Sequence, residues 1–201
     1  PSKDSDELRW YDPPLRGILP LRQLHIPQRL RRTLRQQPYI ITFNRCFGRV
    51  IRHCADARPD SWISQRIIDL YITLHQQGHA HSVEAWKDNQ LTGGLYGVSI
   101  GAAFFGESMF STMTDASKIC LIHLAARLHR RGFELLDAQF VNEHLKQFGI
   151  TEIPRDEYLE KLQKAIYSPV SFLGSSSGGD TASSVAGAGA SVGAASAENH
   201  S

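Results

Sequence analysis

Apolar and polar positions follow two different periods along the chain, and the change of period near residue 78 separates helices from strands. Upstream, apolar residues recur every three or four positions, as expected for helices with one buried face. Downstream, "AHSVEAWK" alternates like a strand, and "LTGGLYGVSI" and "AAFFGE" continue as further strands around a turn at Gly101. The helices predicted in the first part are 27–36, 43–57 and 64–76.

The remaining pattern places a long helix between two strands. Residues 116–130 are apolar on most sides, with Asp115 as the predicted N-cap and Gly132 as the stop. "FELLDAQF" then predicts a fourth strand, and "NEHLKQFG" and "RDEYLEKLQKAIY" predict two further helices. The order β-β-β-α-β-α predicts an α/β (α+β) fold, a mixed sheet flanked by helices, as in acyl-transfer folds of the N-acetyltransferase type.

Composition divides the chain into three parts. With 41% hydrophobic residues among 201, the chain supports one good core. We expect residues 1–60 to form an extended and helical N-terminal region, 61–168 the main domain, and 169–201 a disordered tail rich in Ser, Gly and Ala. Because the chain begins with Pro and not Met, we also expect a processed product or a fragment.

Charge is nearly balanced overall, at +2, but concentrated near the N-terminus. The stretch "RLRRTLR" contains no acidic residue, which suits a polyanion and a solvated helix face equally well. Its arginines are Arg29, Arg31, Arg32 and Arg35. Three cysteines without C-x-x-C spacing indicate reduced thiols in a reducing compartment, and no apolar run is long enough to span a membrane.

Glu107 is the first candidate for chemistry, because it follows an otherwise apolar strand in "FFGESMFS". A carboxylate that is buried costs free energy unless it is paired or hydrogen-bonded. Glu107 is therefore expected either to face water or to meet a basic partner.

Asp137 and Gln139 are the second candidates, and they share one face of the predicted strand "FELLDAQF". Asp is disfavoured inside an apolar strand, so it needs a reason. One reason is a structural carboxylate that accepts hydrogen bonds from a neighbouring loop. With Asn142 just beyond the strand end, a functional site is the interpretation we favour.

Other polar and aromatic residues carry weaker signals. Trp62 and Tyr71 suit a hydrophobic core as well as a ligand platform. His79 and His81 are spaced for one strand face, but no third ligand is in register for zinc, so we expect no metal site. Ser108 has no placed His–Asp pair beside it. No Gly-rich turn lies directly before the long helix, which argues against coenzyme A phosphates there.

Several motifs together resemble one known family. They are "GHAHSVEAW", "GGLYGV", "FFGESMFS", "DASK", "LLDAQFVNEHL" and "EIPRDEYL", and the resemblance runs from about Trp10 to Leu162. The chain is similar to the leucyl/phenylalanyl-tRNA–protein transferases. The resemblance implies transfer of Leu, Phe or Met from aminoacyl-tRNA to the N-terminal Arg or Lys of proteins, which marks them for N-degron proteolysis. It further implies an acetyltransferase-like domain, no cofactor, and a cytoplasmic monomer.

The resemblance also implies roles for individual residues. Asp137 and Gln139 match the catalytic pair, and Glu107 matches a substrate-binding carboxylate expected to meet the basic N-terminal residue. Gln139 is expected to accept a hydrogen bond from the attacking amine, with Asp137 polarising or orienting its amide; direct proton removal by Asp137 is the alternative. Further substrate-binding positions are Trp62, Tyr71, Asn142, Leu95, Phe104, Met109, Leu124 and Leu128. The tRNA-binding positions are the four arginines of "RLRRTLR".

One departure from the family pattern bears on activity. The family carries a "GxFP" motif in an N-terminal segment upstream, which nothing in this sequence matches. Two alternatives therefore stay open. One is a non-catalytic module that binds aminoacyl-tRNA or peptide, and the other is an acyltransferase that uses acyl-coenzyme A.

Overall fold

A computed structural model describes residues 11–59, 61–141 and 143–174 of the chain. The described residues form one seven-stranded mixed sheet with the strand order β2-β3-β4-β5-β6-β1-β7. The strands are β1 Leu15–Leu19, β2 Ile40–Phe43, β3 Ala80–Lys87, β4 Gln90–Ile100, β5 Ala103–Ser111, β6 Leu135–Gln139 and β7 Thr151–Pro154. All neighbouring strands pair antiparallel except β5 and β6, which are parallel.

The helices cover both faces of the sheet. They are α1 Gln28–Gln36, α2 Phe47–Asp56, α3 Gln65–Gln76, α4 Ala116–Arg130, α5 Glu143–Lys146 and α6 Arg155–Ile166. Successive residues of a strand point to opposite faces, and Leu95 joins the core beneath α4 while Tyr96 joins the core beneath α2 and α3. Leu135 and Leu136 separate in the same way, with Leu135 packed in the cluster that contains α6 residues. Helix α4 therefore covers one face, and α2, α3 and α6 cover the other.

The predicted meander, its turn and the crossover helix are confirmed. Strands β3 and β4 follow the predicted segments, whereas β5 continues to Ser111, beyond the predicted end at Glu107. Gly101 takes a left-handed φ of 53° at the turn between β4 and β5. Helix α4 connects the parallel strands β5 and β6, which makes the sheet mixed as predicted. Ser64 caps α3, and its side chain accepts a hydrogen bond from the Ile67 backbone N–H.

Three short strands were not predicted, and two helices were predicted too long, one over 43–57 and the other over "NEHLKQFG", where α5 covers only Glu143–Lys146. Strand β1 lies in a segment expected to be merely extended, and β7 contains Pro154 at the edge of the sheet. Strand β2 occupies Ile40–Phe43, so helix α2 begins at Phe47 and not at residue 43. These strands are four or five residues long, which is too short for a recognisable alternation.

Asp115 lies at the predicted N-cap position of α4, but its side chain does not cap the helix. Asp115 has a left-handed φ of 63°, and its side chain makes no capping hydrogen bond. Its carboxylate instead accepts from Arg29 at 3.0 Å and from Lys118 at 3.2 Å. The two cations take the oxygens that a capping residue would offer to the first turn of α4.

The last described segment lies against the core. Phe172 is 2% exposed and stacks between His81 and Phe104, and its carbonyl accepts a hydrogen bond from Arg127. Most of the predicted disordered tail, residues 175–201, lies outside the described residues. The division at residues 60 and 168 stays a prediction, although β1 and β2 belong to the same sheet as the other five strands.

Candidate active site

The candidate site lies where the two parallel strands of the sheet stop pairing. Strands β5 and β6 pair from Ala103 with Leu135 to Phe105 with Asp137, and the described pairing ends there. Two residues further along each strand stand Glu107 and Gln139. Their side chains meet, with Nε2 of Gln139 3.2 Å from Oε2 of Glu107. The carboxylate and the amide therefore lie together where backbone pairing has ended.

Glu107 is the extra residue of a β-bulge between β4 and β5. Tyr96 pairs with Ser108 and Gly97 pairs with Gly106, so no residue of β4 faces Glu107. Such bulges redirect a side chain and interrupt the regular alternation of a strand. Gly97 is required at this point, since a Cβ there would lie 2.2 Å from the Phe105 carbonyl oxygen. The bulge therefore directs the Glu107 carboxylate away from the position that a regular strand would give it.

Glu107 is partly buried, and its nearest donors are neutral. Gln139 donates a hydrogen bond to its carboxylate, and the Tyr71 hydroxyl is a neighbour that favours its charged form. Burial raises the pKa of Glu107 above its ordinary value. The hydrogen bond from Gln139, the Tyr71 hydroxyl and the charge of Arg16 oppose this rise, and the charge of Asp137 adds to it. The sequence predicted that Glu107 would face water or meet a basic residue. In the structure its neighbours are instead the amide of Gln139 and the phenol of Tyr71.

Gln139 ends β6 in an unusual backbone conformation. Its φ is 63°, the left-handed region that non-glycine residues rarely adopt. Its Nε2 donates to the Gly106 carbonyl at 3.0 Å as well as to Glu107. Both contacts are with oxygen atoms, which leaves the side-chain carbonyl Oε1 as the acceptor end of the amide. None of the described residues donates a hydrogen bond to that oxygen.

Asp137 is fully buried, at 0% exposure, and both of its oxygens are occupied. Arg16 donates to it with Nε at 3.1 and 3.0 Å, and a second guanidinium nitrogen lies 2.9 Å from Oδ2. The Tyr158 hydroxyl donates to Oδ2 at 2.6 Å. The Gln139 backbone N–H donates to Oδ1 at 2.7 Å. Asp137 therefore contacts the main chain of Gln139, and not the side-chain amide that it was expected to polarise.

Three aromatic rings pack in a row, and two of them, Tyr71 and Tyr96, neighbour Glu107. Trp62 packs edge-on against Tyr71 at a centroid distance of 6.5 Å, and Tyr71 packs against Tyr96 at 5.4 Å. Burial raises the pKa of both tyrosines, and the neighbouring charge of Glu107 raises them further. The Tyr96 hydroxyl is buried and has no hydrogen-bond partner among the described residues. Trp62 and Tyr71, both expected at the site, are brought together with it.

The residues expected to form an apolar pocket pack together on the α4 face of the sheet. Leu95, Phe104, Leu124 and Leu128 are buried in one cluster, and Met109 packs against it, partly buried. Met109 belongs to β5, two residues beyond Glu107. The apolar set therefore reaches the strand that carries the carboxylate.

The expected tRNA-binding arginines all lie on α1, and all four are exposed. Arg29 pairs with Asp115, and Arg31 donates to the Ile26 carbonyl at 2.9 Å. The other two are Arg32 and Arg35. Asn142, also expected at the site, lies outside the described residues.

The weaker candidates take other roles. His81 is buried and shares hydrogen bonds with Asn44 and Ser99, and burial lowers its pKa to about 4. Within residues 11–59, 61–141 and 143–174, no three His, Cys, Asp or Glu side chains are grouped as metal ligands. The three cysteines are unpaired, and no helix in the same ranges is long and apolar enough to cross a membrane.

Sequence reasoning missed three residues of this region: Arg16, Tyr96 and Tyr158. Arg16 and Tyr158 reach Asp137 from positions 121 and 21 residues away in the chain. The local signals were the motifs "GGLYGV" around Tyr96 and "EIPRDEYL" around Tyr158, which pointed to a family and not to a contact.

Comparison with known proteins gives the class of the chain. Residues 18–163 match the family model described as leucyl/phenylalanyl-tRNA protein transferase. Three curated proteins named leucyl/phenylalanyl-tRNA–protein transferase are similar to it. The protein from Hyphomonas neptunium is 55% identical over 88% of this chain and 70% of its own length. The one from Paramagnetospirillum magneticum is 54% identical over 82% and 80%, and the one from Caulobacter vibrioides 51% over 88% and 83%.

These matches show that the chain, with its α+β fold, is an aminoacyltransferase. The chain belongs to the leucyl/phenylalanyl-tRNA–protein transferase family.

Proposed function

We propose that the chain transfers Leu, Phe or Met from aminoacyl-tRNA to the N-terminal Arg or Lys of a protein, and that the reaction takes place at the gap between β5 and β6. The observation that carries this proposal is the contact between Glu107 and Gln139 at the end of the parallel pairing. This contact places the Gln139 amide, whose oxygen can accept a hydrogen bond from an amine, beside the Glu107 carboxylate, which can bind a cation.

The reaction is aminolysis of an ester. The α-amine of the acceptor protein attacks the carbonyl carbon of the aminoacyl ester, a C–N bond forms, and the ester C–O bond breaks. The ribose oxygen leaves and takes up the proton that the amine loses. An α-amine has a pKa of about 8, so a usable neutral fraction exists near pH 7. Holding amine and ester in a near-attack geometry then supplies much of the rate.

Gln139 is proposed to hold the attacking amine. Its Nε2 is directed at Gly106 and Glu107, so its Oε1 is the atom that accepts an N–H from the amine. The oxygen also stabilises the positive charge that grows on nitrogen during attack. Asp137 does not remove the proton in this scheme, since it is fully buried and both oxygens already accept hydrogen bonds.

Glu107 is proposed to recognise the basic side chain of the acceptor. In the absence of substrate its contacts are with a neutral amide and a phenol, which are weaker partners than a guanidinium or ammonium. The incoming Arg or Lys supplies the cation. Trp62 and Tyr71 beside Glu107 are proposed to hold the aminoacyl-adenosine end of the tRNA. Asn142 is kept as a further proposed contact from the family pattern.

The apolar cluster around Phe104 is proposed to accept the transferred side chain. Leu, Phe and Met are unbranched at Cβ, whereas Val and Ile are wider there and would meet the walls of a narrow pocket. The proposed pocket residues are Leu95, Phe104, Met109, Leu124 and Leu128.

The exposed arginines of α1 are proposed to contact the tRNA backbone. Phosphate contacts position a nucleic acid and make affinity dependent on salt, with little reading of sequence. The same proposal places the chain in the cytoplasm as a monomer, where its products become substrates for N-degron proteolysis.

The experiment is transfer of radiolabelled leucine from leucyl-tRNA to peptides that begin with Arg, Lys or Ala. Transfer to the Arg and Lys peptides alone is the expected result. In Gln139→Asn the amide is kept on a shorter side chain, and Asn tolerates the left-handed φ of this position. We expect this variant to lower kcat by about 100-fold. Gln163→Ala, on the exposed face of α6, is the matched control and should be unaffected.

Transfer to the Ala peptide at the same rate would contradict the role of Glu107. No transfer to any peptide, with retained binding of leucyl-tRNA, would favour a binding module. Acyl transfer from an acyl-coenzyme A, tested in parallel, would overturn the proposed donor.

A further inference from the structure

The backbone of Gln139 is strained. A left-handed conformation costs a non-glycine residue roughly 1–2 kcal/mol, and it persists only where the surroundings hold it. Contacts of its side chain and of its backbone hold Gln139, in addition to its pairing with Gly17 of β1. Its side chain donates to the Gly106 carbonyl, and its backbone N–H donates to Oδ1 of Asp137, two residues earlier. The second contact is the local Asp-to-backbone bond that favours a turn of the chain.

Asp137 can hold that N–H only because other donors compensate its burial. A fully buried carboxylate without partners would be too costly to remain ionised. Arg16 covers both oxygens from β1, and Tyr158 covers Oδ2 from α6. Arg16 is itself held over the Tyr158 ring, with its guanidinium carbon 5.4 Å from the ring centroid. Two separate elements, β1 and α6, thus fix one carboxylate on β6.

We propose that Arg16 and Tyr158 are positioning residues for the transfer reaction, acting on it through Asp137 and the backbone of Gln139. Arg16 and Tyr158 fix the Asp137 carboxylate, Asp137 fixes the Gln139 N–H, and the left-handed turn directs the Gln139 amide towards Glu107. Neither residue needs to touch the substrate. This proposal rests on the proposed function, because the group being positioned is the Gln139 side-chain amide, which is proposed to accept a hydrogen bond from the attacking amine.

The test compares two tyrosines whose hydroxyls donate one hydrogen bond of equal length. Tyr158→Phe removes the 2.6 Å bond to Asp137, and Tyr39→Phe removes a 2.6 Å bond to the Thr114 carbonyl, away from the β5–β6 gap. For Tyr158→Phe we expect kcat for leucine transfer to fall about tenfold, as one strong hydrogen bond is removed, with KM for both substrates within about twofold. Tyr39→Phe should leave kcat unchanged.

A double-mutant cycle shows whether the effect passes through Gln139. In a Gln139→Asn background, Tyr158→Phe should cause no further decrease of kcat, because the group that it positions is already shortened. A further tenfold decrease in that background, or an unchanged kcat in the wild-type background, would overturn the proposal. If Tyr158→Phe does not fold, Arg16→Lys takes its place in both backgrounds. It keeps the charge but removes the forked hydrogen bonding of the guanidinium.

A second readout does not depend on transfer. Hydrogen exchange of the Gln139 backbone amide should be faster in Tyr158→Phe, while the amides of Leu135 and Leu136 keep their wild-type rates. Equal acceleration at all three would mean general loosening of β6 and would contradict the specific role. Faster exchange at Gln139 in the variant, combined with no transfer by the wild-type protein, would support the positioning and reject only the proposed function.

Discussion

Gln139 donates through Nε2 to Oε2 of Glu107 at 3.2 Å, across the gap where β5 and β6 no longer pair. The two residues come from strands separated by the whole of α4. Their contact leaves a partly buried carboxylate bonded to neutral donors, and it points the acceptor end of an amide away from them. Substitutions in this pair, or in the features that bring it together, should therefore alter activity, stability or both.

Glu107→Gln is expected to weaken the preference for acceptors that begin with Arg without lowering the stability of the fold. Burial raises the pKa of Glu107, so the native state holds a proton that the unfolded chain releases as pH rises through the ordinary range of Glu. The contribution of Glu107 to stability is therefore largest below that range and is lost as pH rises towards the raised pKa. The neutral variant should lose this dependence and be at least as stable at pH 7, measured by denaturant unfolding. Its preference for Arg over Ala peptides should fall by about tenfold or more. Retained preference would contradict the pairing.

Gly97→Ala should disrupt the β-bulge that carries Glu107. The new Cβ would stand 2.2 Å from a backbone oxygen and 2.4 Å from the Phe104 ring, so the strands must move apart. We expect a decrease of about 2 kcal/mol or more in unfolding free energy together with loss of transfer. Gly106→Ala, on the facing strand, meets only the Asp137 carbonyl at 3.4 Å and serves as the control. Equal stability of the two variants would refute the requirement at position 97.

Tyr96→Phe should raise stability. The Tyr96 hydroxyl is buried without a partner among the described residues, and such a group costs about 1–3 kcal/mol. Removing it keeps the ring contacts with Phe47 and Tyr71. Thermal unfolding should show a higher Tm than wild type. A lower Tm would mean that the hydroxyl has a partner that stabilises the fold.

Acid should destabilise the fold through two histidines, the buried His81 and the partly buried His123. Burial lowers the pKa of both His81 and His123 from 6.5 to about 4. Between these values the unfolded chain binds protons that the native chain does not, so stability falls as pH decreases from about 6.5 to about 4. His123→Gln should reduce the slope of unfolding free energy against pH by about one proton in this window. An unchanged slope would show that His123 titrates normally in the native state.

The α1 arginines should contribute to the salt dependence of tRNA binding. Arg32 and Arg35 are exposed, and no described acid pairs with either. Replacing both with Ala should lower the slope of log affinity against log salt by about 2, because two phosphates would no longer be neutralised by the protein. Lys161→Ala on α6, whose lysine pairs with Glu157, is the control. An unchanged slope in the double variant would remove α1 from the interface.

The sequence predicted the elements whose pattern is local. Strands β3 to β5 and helix α4 have long, regular apolar periods, and a single helix between β5 and β6 implied their parallel order. Strands β1, β2 and β7 are short and lie at or near the ends of the sheet, where stability comes from pairing partners far along the chain. No window of a few residues contains that information.

The site was predicted as residue types and not as contacts. Glu107 and Asp137 were recognisable because a carboxylate is unusual in an apolar strand. Their partners were not, because Arg16 lies 121 residues from Asp137 in sequence, and a left-handed φ at Gln139 has no sequence signature. The direction of the Gln139 amide depends on a backbone angle that only the folded sheet determines.

The bulge at Glu107 also constrains how this sheet can change over evolution. A β5 strand one residue shorter would pair with β4 without interruption, and by the usual measures it would be the more regular sheet. If Glu107 were deleted, Gly106 would still pair with Gly97 and Ser108 with Tyr96, so the flanking side chains would keep their faces and only the bulged carboxylate would be lost. Selection for stability alone would therefore favour a regular sheet without the Glu107 carboxylate. Among active relatives, single-residue deletions should be rarer in this strand than in the loops.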